Sequence, residues 1–190
     1  MEILLVSMTT HGVLEYLDSL KESISKTLEE VGVTAEVVPW PGVFKPSLKC
    51  FDWDRGQYVA QCLIDQLDKH FVIFRASRRV LILGIGYMDG YEYGLNFVFG
   101  EAVPSRGIAV VFTKRLRTEF YGEPPDPSKY LERLSKEAVH ELGHLLGLKH
   151  CSNKSCVMRF SNNIMEVDEK TERFCNQCAG MVKTHISSTK

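Results

Sequence analysis

The stretch that most constrains the fold of this chain is HELGHLLGLKHC at residues 140–151, because it dictates both a helix and the point where that helix must end. On a helix, His140 and His144 lie four positions apart on one face, so both rings can reach one metal ion. In a continued helix, His150 would point to the far side. Gly147 permits the left-handed conformation that ends a helix and reverses the chain, which returns His150 to the same ion.

Three histidines at these spacings predict a zinc ion with one open coordination position. Zinc in such a site lowers the pKa of its bound water to about 7. Glu141 follows the first histidine, where its carboxylate can lie beside the ion without binding it, and we predict that it is the general base. A surface helix that carries histidines by chance is the alternative, but it leaves the glycine, the third histidine and the adjoining cysteine unexplained.

The flanking sequence supports a helix that carries these histidines. Asp126 is suited to the N-cap position and Pro127 to the first helical position. A core-facing stripe then recurs at steps of three or four residues. Its members are Leu131, Leu134, Ala138, Leu142 and Leu145. Because His140 and His144 lie off this stripe, they are not explained as core residues.

Four of the six cysteines form a second cluster, made of Cys151, Cys156, Cys175 and Cys178. Two ligand pairs separated by a loop predict a closed, structural zinc site with four thiolates. Two disulfides are the main alternative, and a redox CxxC is a third. The start of the chain has no features of a secretory signal, which predicts a cytoplasmic location. A reducing compartment favours metal-bound thiols over disulfides, and no βαβ pattern surrounds the CxxC pair.

With both clusters, the chain resembles the archaemetzincins, a branch of the metzincin zinc peptidases. The matching segments are HELGHLLGLKHC at 140–151, CVM at 156–158, CNQC at 175–178 and NFVFGEA at 96–102. The resemblance implies a zinc metallopeptidase that hydrolyses peptide bonds. It also implies two zinc ions, a catalytic one on the three histidines and a structural one on the four cysteines.

Two further roles follow from this resemblance. It implies that Met158 forms a Met-turn, an apolar floor beneath the catalytic zinc that is not itself a ligand. It also implies an antiparallel edge strand that aligns an extended peptide beside the cleft. Taken alone, the alternation of this segment predicts only an ordinary strand. The residues concerned are Asn96, Phe97, Val98, Phe99 and Gly100.

The order of elements predicts an α/β fold of the metzincin-like kind. Strands alternate with helices, which indicates a mixed, largely parallel sheet with two backing helices and the active-site helix. The predicted strands lie at 3–6, 34–38, 80–83 and 108–113, and the backing helices at 11–31 and about 55–69. We expect a compact catalytic subdomain at 1–150. An irregular C-terminal subdomain at 151–190 would hold the Met-turn and the cysteine site.

Smaller features carry local predictions. The PWPG segment at 39–42 is expected to break the second strand, and the GIG segment at 84–86 to form a tight turn. Cys50 and Cys62 are expected to act as separate small apolar groups. The basic cluster of Arg75, Arg78 and Arg79 is expected to be solvated.

Composition limits the classes of function. The chain has 190 residues, 44% hydrophobic and 25% charged, with a net charge of −1, which describes an ordinary globular protein. We therefore expect a peptide or protein substrate, no nucleic-acid partner and no membrane span, and the sequence does not predict the oligomeric state. The alternatives are a zinc-stabilised binding or regulatory protein with little or no peptidase activity, and hydrolysis of a non-peptide amide. A general base beside intact ligands favours the enzyme.

Overall fold

The computed structural model describes the backbone of residues 1–77 and 80–188, and the side chains of residues 1–74 and 80–185. The strands are β1 (Glu2–Ser7), β2 (Glu36–Val43), β3 (Phe51–Asp52), β4 (Gln57–Val59), β5 (Val80–Gly86), β6 (Gly90–Tyr91), β7 (Gly100–Val103) and β8 (Ile108–Phe112). The helices are α1 (Leu17–Glu30), α2 (Ala60–His70), α3 (Val72–Ser77), α4 (Pro127–Leu145), α5 (Ile164–Glu169) and α6 (Asn176–Ser188). The cluster of Arg75, Arg78 and Arg79 lies outside the described side chains.

Five strands form the central sheet in the order β2-β1-β5-β8-β7. All neighbouring pairs are parallel except β7, which runs antiparallel to β8 at one edge. The short strands β3, β4 and β6 form a second sheet. The predicted α/β fold with a mixed, largely parallel sheet is confirmed.

Both faces of the central sheet are covered by helices. Along β1, Ile3 and Leu5 pack into the cluster that contains α1 and α4, whereas Leu4 and Val6 pack into the cluster that contains α2. This alternation explains why the strand is apolar throughout, as expected when a parallel strand is buried on both sides. Each such side chain contributes about 1.5–3 kcal/mol when it is fully buried.

The predicted break of the second strand is wrong. Strand β2 continues through Pro39 and Pro41 and ends at Val43. It lies at the edge of the sheet, where proline is tolerated because one row of N–H groups has no strand to bind. The register with β1 shifts between Leu5 and Ser7, opposite this segment.

The predicted tight turn at 84–86 is also wrong, because these residues lie inside β5. The structure gives Gly84 a packing role. A Cβ at this position would lie 2.7 Å from Leu67 Cδ1 and 3.1 Å from Met8 Sδ. The glycine therefore lets helix α2 approach the sheet closely.

The predicted edge strand at 96–100 is displaced along the chain, since β7 begins only at the last of these residues. The first part of the segment is bound to the small sheet instead. Arg55 donates a hydrogen bond of 2.8 Å to the carbonyl of Asn96, and the Val98 N–H donates one of 2.9 Å to the carbonyl of Gly90. These bonds were not visible in the alternating sequence.

Cys50 and Cys62 form a disulfide, which corrects the prediction of two separate thiols. A short 3-10 turn at Leu48–Cys50 places the first cysteine against helix α2, which carries the second. The side chain of Ser47 caps this turn by accepting a hydrogen bond from the Lys49 N–H.

Residues 151–190 were predicted to be irregular, but they include helices α5 and α6. Val157, Val167 and Val182 of this region belong to the same hydrophobic cluster as the residues of α1 and α4. The boundary at residue 150 remains a prediction. Within the described part of the chain, no helix has the length and apolar character needed to cross a bilayer.

The predicted start of the histidine-bearing helix is confirmed. The Asp126 side chain accepts a hydrogen bond of 2.9 Å from the Lys129 N–H, and Pro127 is the first helical residue. The apolar stripe of α4 is almost wholly buried, with Leu134, Ala138 and Leu142 at zero exposure. Because this stripe faces the core, the packing determines the orientation of α4 and therefore of the face that carries His140 and His144.

We predict that Gly84→Ala lowers the free energy of unfolding by about 1–3 kcal/mol, because the added methyl group forces α2 away from the sheet. Denaturant unfolding measures this change. Gly180→Ala in α6 is the matched control, since no atom outside the neighbouring backbone of the same helix lies within 4 Å of its Cβ position. We expect this control to be neutral or to stabilise the fold by up to about 1 kcal/mol. Equal effects of the two substitutions would contradict the packing role of Gly84.

Candidate metal centre

The histidine cluster depends on the way helix α4 ends. Gly147 has a φ of +89°, and its N–H donates a hydrogen bond of 2.9 Å to the carbonyl of His144. The Leu148 N–H donates one of 3.0 Å to the carbonyl of Gly143. This pair of bonds defines a Schellman motif, which ends the helix and turns the chain back. The turn brings His150 beside the two helical histidines, as the sequence predicted.

The three rings meet around one point. The ligand nitrogens of His140, His144 and His150 lie within 4.8 Å of one another. The Nδ1–H of His140 donates to the carbonyl of Val157 at 2.7 Å, and that of His144 donates to the carbonyl of Leu148 at 2.9 Å. These bonds fix the tautomer of both rings, so each keeps an unprotonated Nε2 for a metal ion.

The geometry and the protonation of this cluster fit zinc. The Nε2 atoms of His140 and His144 are 3.1 Å apart, near the separation of about 3.3–3.4 Å that tetrahedral Zn–N bonds of about 2.0–2.1 Å require. Burial, with a further contribution from the charge of Lys170, holds the pKa of His140 well below its usual value. Burial also lowers the pKa of His144 and His150. The neutral imidazole that a metal requires is therefore favoured.

Glu141 lies in the same cleft as the histidines and is only 4% exposed. Burial, followed by the charges of Glu137 and Glu101, raises its pKa well above the usual range. Helix α4 brings it against the first residue of β7, where a Cβ on Gly100 would overlap the carboxylate. The glycine therefore provides the space that the Glu141 side chain occupies.

A cleft of about 580 Å³ opens between β7 and α4. Phe97, Val98, Phe99 and Gly100 of the predicted edge segment line it, whereas Asn96 does not. The ring of Phe160 forms another wall and lies 4.9 Å from the ring of His150. The cleft thus combines an apolar wall with the histidines and several carboxylates.

Met158 lies directly against the histidine-bearing helix. It is fully buried, and a Cβ on Gly143 would overlap its sulfur. Gly143 lies between His140 and His144 in the sequence, so the methionine packs against the part of α4 that presents both rings. The contact between Met158 and α4 is one of apolar packing.

The four C-terminal cysteines are also brought together. The sulfur atoms of Cys151, Cys156, Cys175 and Cys178 lie within 4.8 Å of one another, and none of the four forms a disulfide. The sulfurs of Cys151 and Cys175 are 3.8 Å apart. Tetrahedral Zn–S bonds of about 2.3 Å require a separation of about 3.8 Å. The cluster therefore fits a closed zinc site.

Local hydrogen bonds favour the thiolate of Cys175, whereas burial raises the pKa of Cys156 and Cys178. Burial acts to raise the pKa of Cys175, but a hydrogen bond from the Cys178 backbone and bonds with the neighbouring thiols outweigh it and lower this pKa to about 7. The Cys175 N–H also donates to the sulfur of Cys156 at 3.3 Å. Backbone donors of this kind stabilise negative sulfur.

The two clusters share one segment of backbone. His150 and Cys151 are joined by a peptide bond, and the Cys151 N–H donates to the carbonyl of Met158 at 2.9 Å. The neighbouring Val157 carbonyl accepts the hydrogen bond from His140. The loop that carries one of the four clustered cysteines therefore also orients one of the three clustered histidines.

Several charged residues at this site were not predicted from the sequence. Glu101 and Glu137 line the cleft, and the Lys170 side chain is fully buried next to Glu137. Glu137 lies four positions before Glu141 on α4, and this spacing could have revealed it, because such residues share a helix face. No local signal marks Lys170, which belongs to a different part of the chain.

The fold and the two clusters define a zinc-dependent peptidase, and comparison with known proteins identifies the family. The model of peptidase family M54 matches residues 1–184. The chain is 41% identical over 188 residues to an archaemetzincin of Sulfolobus acidocaldarius, covering 98% of this chain and 99% of that one. The chain therefore belongs to peptidase family M54, the archaemetzincin family.

Solved structures agree with this assignment. An archaemetzincin of Methanopyrus kandleri superposes with a TM-score of 0.78 at 34% identity, covering 98% of this chain and 96% of that chain. A zinc-dependent peptidase of Methanocorpusculum labreanum superposes with a TM-score of 0.84 at 30% identity, covering 96% of this chain and all of that chain. The protein is thus a zinc metallopeptidase, a hydrolase whose substrates are peptides or proteins.

We predict that Gly143→Ala displaces Met158 and lowers the free energy of unfolding by about 1–3 kcal/mol. The displacement should also weaken zinc binding by the histidines, which a competing chelator would measure. Combining Gly143→Ala with Met158→Ala provides the control, because the shorter side chain makes room for the new methyl group. The two effects on stability should then be less than additive. Strict additivity would show that the two residues do not press on each other.

Proposed function

We propose that this chain hydrolyses peptide bonds at a zinc ion held by His140, His144 and His150, with Glu141 as the general base. The observation that carries the proposal is the convergence of three ring nitrogens in the cleft that also contains the Glu141 carboxylate. A bound zinc ion would supply Lewis acidity to water and to the substrate carbonyl. The remaining steps belong to the residues of the chain.

Glu141 would move one proton twice. As water attacks the carbonyl carbon of the substrate, the Glu141 carboxylate accepts a proton from that water. The resulting carboxylic acid then gives a proton to the nitrogen of the leaving amine as the C–N bond breaks. The raised pKa of Glu141 suits the second step, because the carboxyl group stays protonated until the leaving amine accepts the proton. The positive charge of a nearby zinc ion favours the ionised form that the first step needs.

Strand β7 is the candidate for alignment of the substrate. It lies at the edge of the sheet and its first residue borders the cleft, so an extended peptide can add beside it by main-chain hydrogen bonds. The family resemblance implied that residues 96–100 align an extended peptide. We propose that two neighbouring segments share this role. We assign the pairing edge to Gly100–Val103, while Phe97 and Phe99 contribute side chains to the wall.

The remaining assignments concern support of the site. We propose that Met158 is the apolar floor of a Met-turn, because its buried side chain packs on α4 between the two helical ligands. We also propose that Cys151, Cys156, Cys175 and Cys178 bind a second, structural zinc ion. With four thiolates, that site would have no open position for substrate. A protein that only bound peptides would gain nothing from a buried, destabilising carboxylate beside the histidines.

We predict that Glu141→Gln lowers kcat by at least about 100-fold while the histidines still bind zinc, because loss of a general base typically costs about 10²–10⁴ in rate. Cleavage of a mixed peptide library, together with metal analysis, measures both quantities. Glu132→Gln is the matched control on the same helix, since Glu132 is 59% exposed and lies outside the cleft. Retained cleavage by Glu141→Gln would exclude Glu141 as the base. Absence of cleavage by the wild type would favour a binding protein.

We predict that Cys175→Ser removes the structural zinc and also weakens zinc binding by the histidines, because Cys151 and His150 share one turn. Metal analysis and chelator competition distinguish the two sites. A double substitution, Cys50→Ser with Cys62→Ser, is the control, since it removes two cysteines remote from both clusters and should leave the zinc content unchanged. If the histidine site keeps its affinity after Cys175→Ser, the two sites are independent.

A further inference from the structure

One carboxylate of the cleft has no cation beside it. Glu101 is the second residue of β7 and lines the cleft. Within the described part of the chain, its side chain makes no hydrogen bond and no ion pair. Glu137, which lines the same cleft, lies 2.8 Å from Nζ of Lys170. Since Glu141 is the proposed base, Glu101 is the cleft carboxylate that is left without a partner or a role.

The register of β7 determines the direction in which Glu101 points. Glu101 is paired with Val110 of β8, which packs in the cluster that contains α2. Gly100 is paired with Val111, which packs in the cluster that contains α1 and α4. Because directly opposed residues of two strands share one face of the sheet, Glu101 lies on the α2 face and Gly100 on the α4 face. The close approach of Glu141 on α4 to the Cβ position of Gly100 agrees with this.

A peptide that added to the outer edge of β7 would continue this alternation. Its side chains would point in turn to the α4 face and to the α2 face of the sheet. The substrate residue opposite Glu101 would place its Cβ about 4.5–5.5 Å from that of Glu101, on the same face. One substrate side chain therefore meets the Glu101 carboxylate, whereas the side chains before and after it point toward α4.

A second acid adds negative charge beside Glu101. Glu92 lies in the turn after β6, where its carbonyl accepts a hydrogen bond of 3.0 Å from the N–H of Leu95, a residue of the cleft wall. The Oε1 atom of Glu92 accepts a hydrogen bond from the Tyr93 N–H, but its Oε2 atom is buried and has no hydrogen-bond partner. Burial, followed by the charge of Glu92, raises the pKa of Glu101. These surroundings disfavour an acidic substrate side chain and favour a basic one.

The charge balance is different at the end of α4. Lys149 lines the cleft directly before His150 in the sequence, and Lys170 compensates the charge of Glu137. A zinc ion on the histidines would add two positive charges. A basic side chain that pointed toward α4 would therefore meet positive charge, so the preference for a basic residue should be limited to the position opposite Glu101.

We propose that Glu101 is a specificity-determining residue that selects a lysine or arginine side chain at one position of the peptide substrate. The inference rests on the proposed function, because it assumes that an extended peptide pairs with β7 beside the histidines. The carboxylate would accept a charge-assisted hydrogen bond from the ammonium group of lysine, or two from the guanidinium group of arginine. The contact lies on the substrate side chain, away from the bond that is cleaved.

A peptide series with lysine or methionine at each position in turn tests this inference. The two side chains have similar length, so the ratio of their kcat/KM values isolates the effect of charge. For the wild type, we expect a ratio of at least about three at one position, as one cross-strand pair of opposite charges provides. At the two adjacent positions the ratio should not exceed about one, because those side chains point to the other face.

Two variants connect the preference to Glu101. Glu101→Gln should bring the ratio to within about twofold of one, mainly through a higher KM for the lysine peptide, because a contact remote from the reacting atoms acts on binding. Glu101→Lys should reverse the preference, so that a glutamate-containing peptide is cleaved better than the lysine peptide. Glu36→Gln is the matched control, since Glu36 is an exposed residue of β2 at the opposite edge of the sheet. This control should keep the wild-type ratio.

The possible results separate this inference from the proposed function. If Glu101 has only a structural role, Glu101→Gln lowers cleavage of the lysine and methionine peptides equally and leaves their ratio unchanged, which overturns the inference. A wild type that cleaves peptides without a preference for lysine at any position also overturns it, while the zinc peptidase stands. A wild type that cleaves no peptide of the series contradicts both the inference and the proposed function.

Discussion

Two hydrogen bonds of one residue, Leu148, connect the end of helix α4 to the histidine cluster. Its N–H closes helix α4 by binding the carbonyl of Gly143, and its own carbonyl accepts the Nδ1–H of His144. The same residue thus ends the helix through its N–H and orients the His144 ring through its carbonyl. His150 follows two residues later, so the position of the third ring is also determined by this turn. A shift of Leu148 would disturb all of these features at once.

The histidine rings are oriented by main-chain carbonyls of loops, and this arrangement links their geometry to the position of those loops. His140 depends on the carbonyl of Val157, which lies next to Met158, and Met158 in turn accepts a hydrogen bond from Cys151. The segment that carries Cys151 is therefore connected to the orientation of His140 through the main chain of Val157 and Met158.

Patterns within one helix or one turn could be predicted from sequence, whereas contacts between distant segments could not. The spacing of His140, His144 and His150 follows from helix geometry and one glycine, and the structure places them as that spacing requires. The pairing of Glu137 with Lys170 joins residues 33 positions apart, and no local preference signals it. Likewise, the carbonyl of Asn96 accepts hydrogen bonds from the side chains of Arg55 and Gln57, which lie 41 and 39 positions away in the sequence.

The prolines of strand β2 have a consequence for the opposite edge of the sheet. An open sheet offers two rows of unpaired main-chain groups, and either can recruit a foreign strand. Pro39 and Pro41 remove two N–H donors from the β2 edge, so a peptide that docked there would lack part of its hydrogen-bonding ladder. The β7 edge carries no proline within the strand and borders the histidine cleft. Of the two edges of the sheet, the β7 edge beside the histidine cleft is therefore the one whose strand keeps an uninterrupted row of main-chain donors.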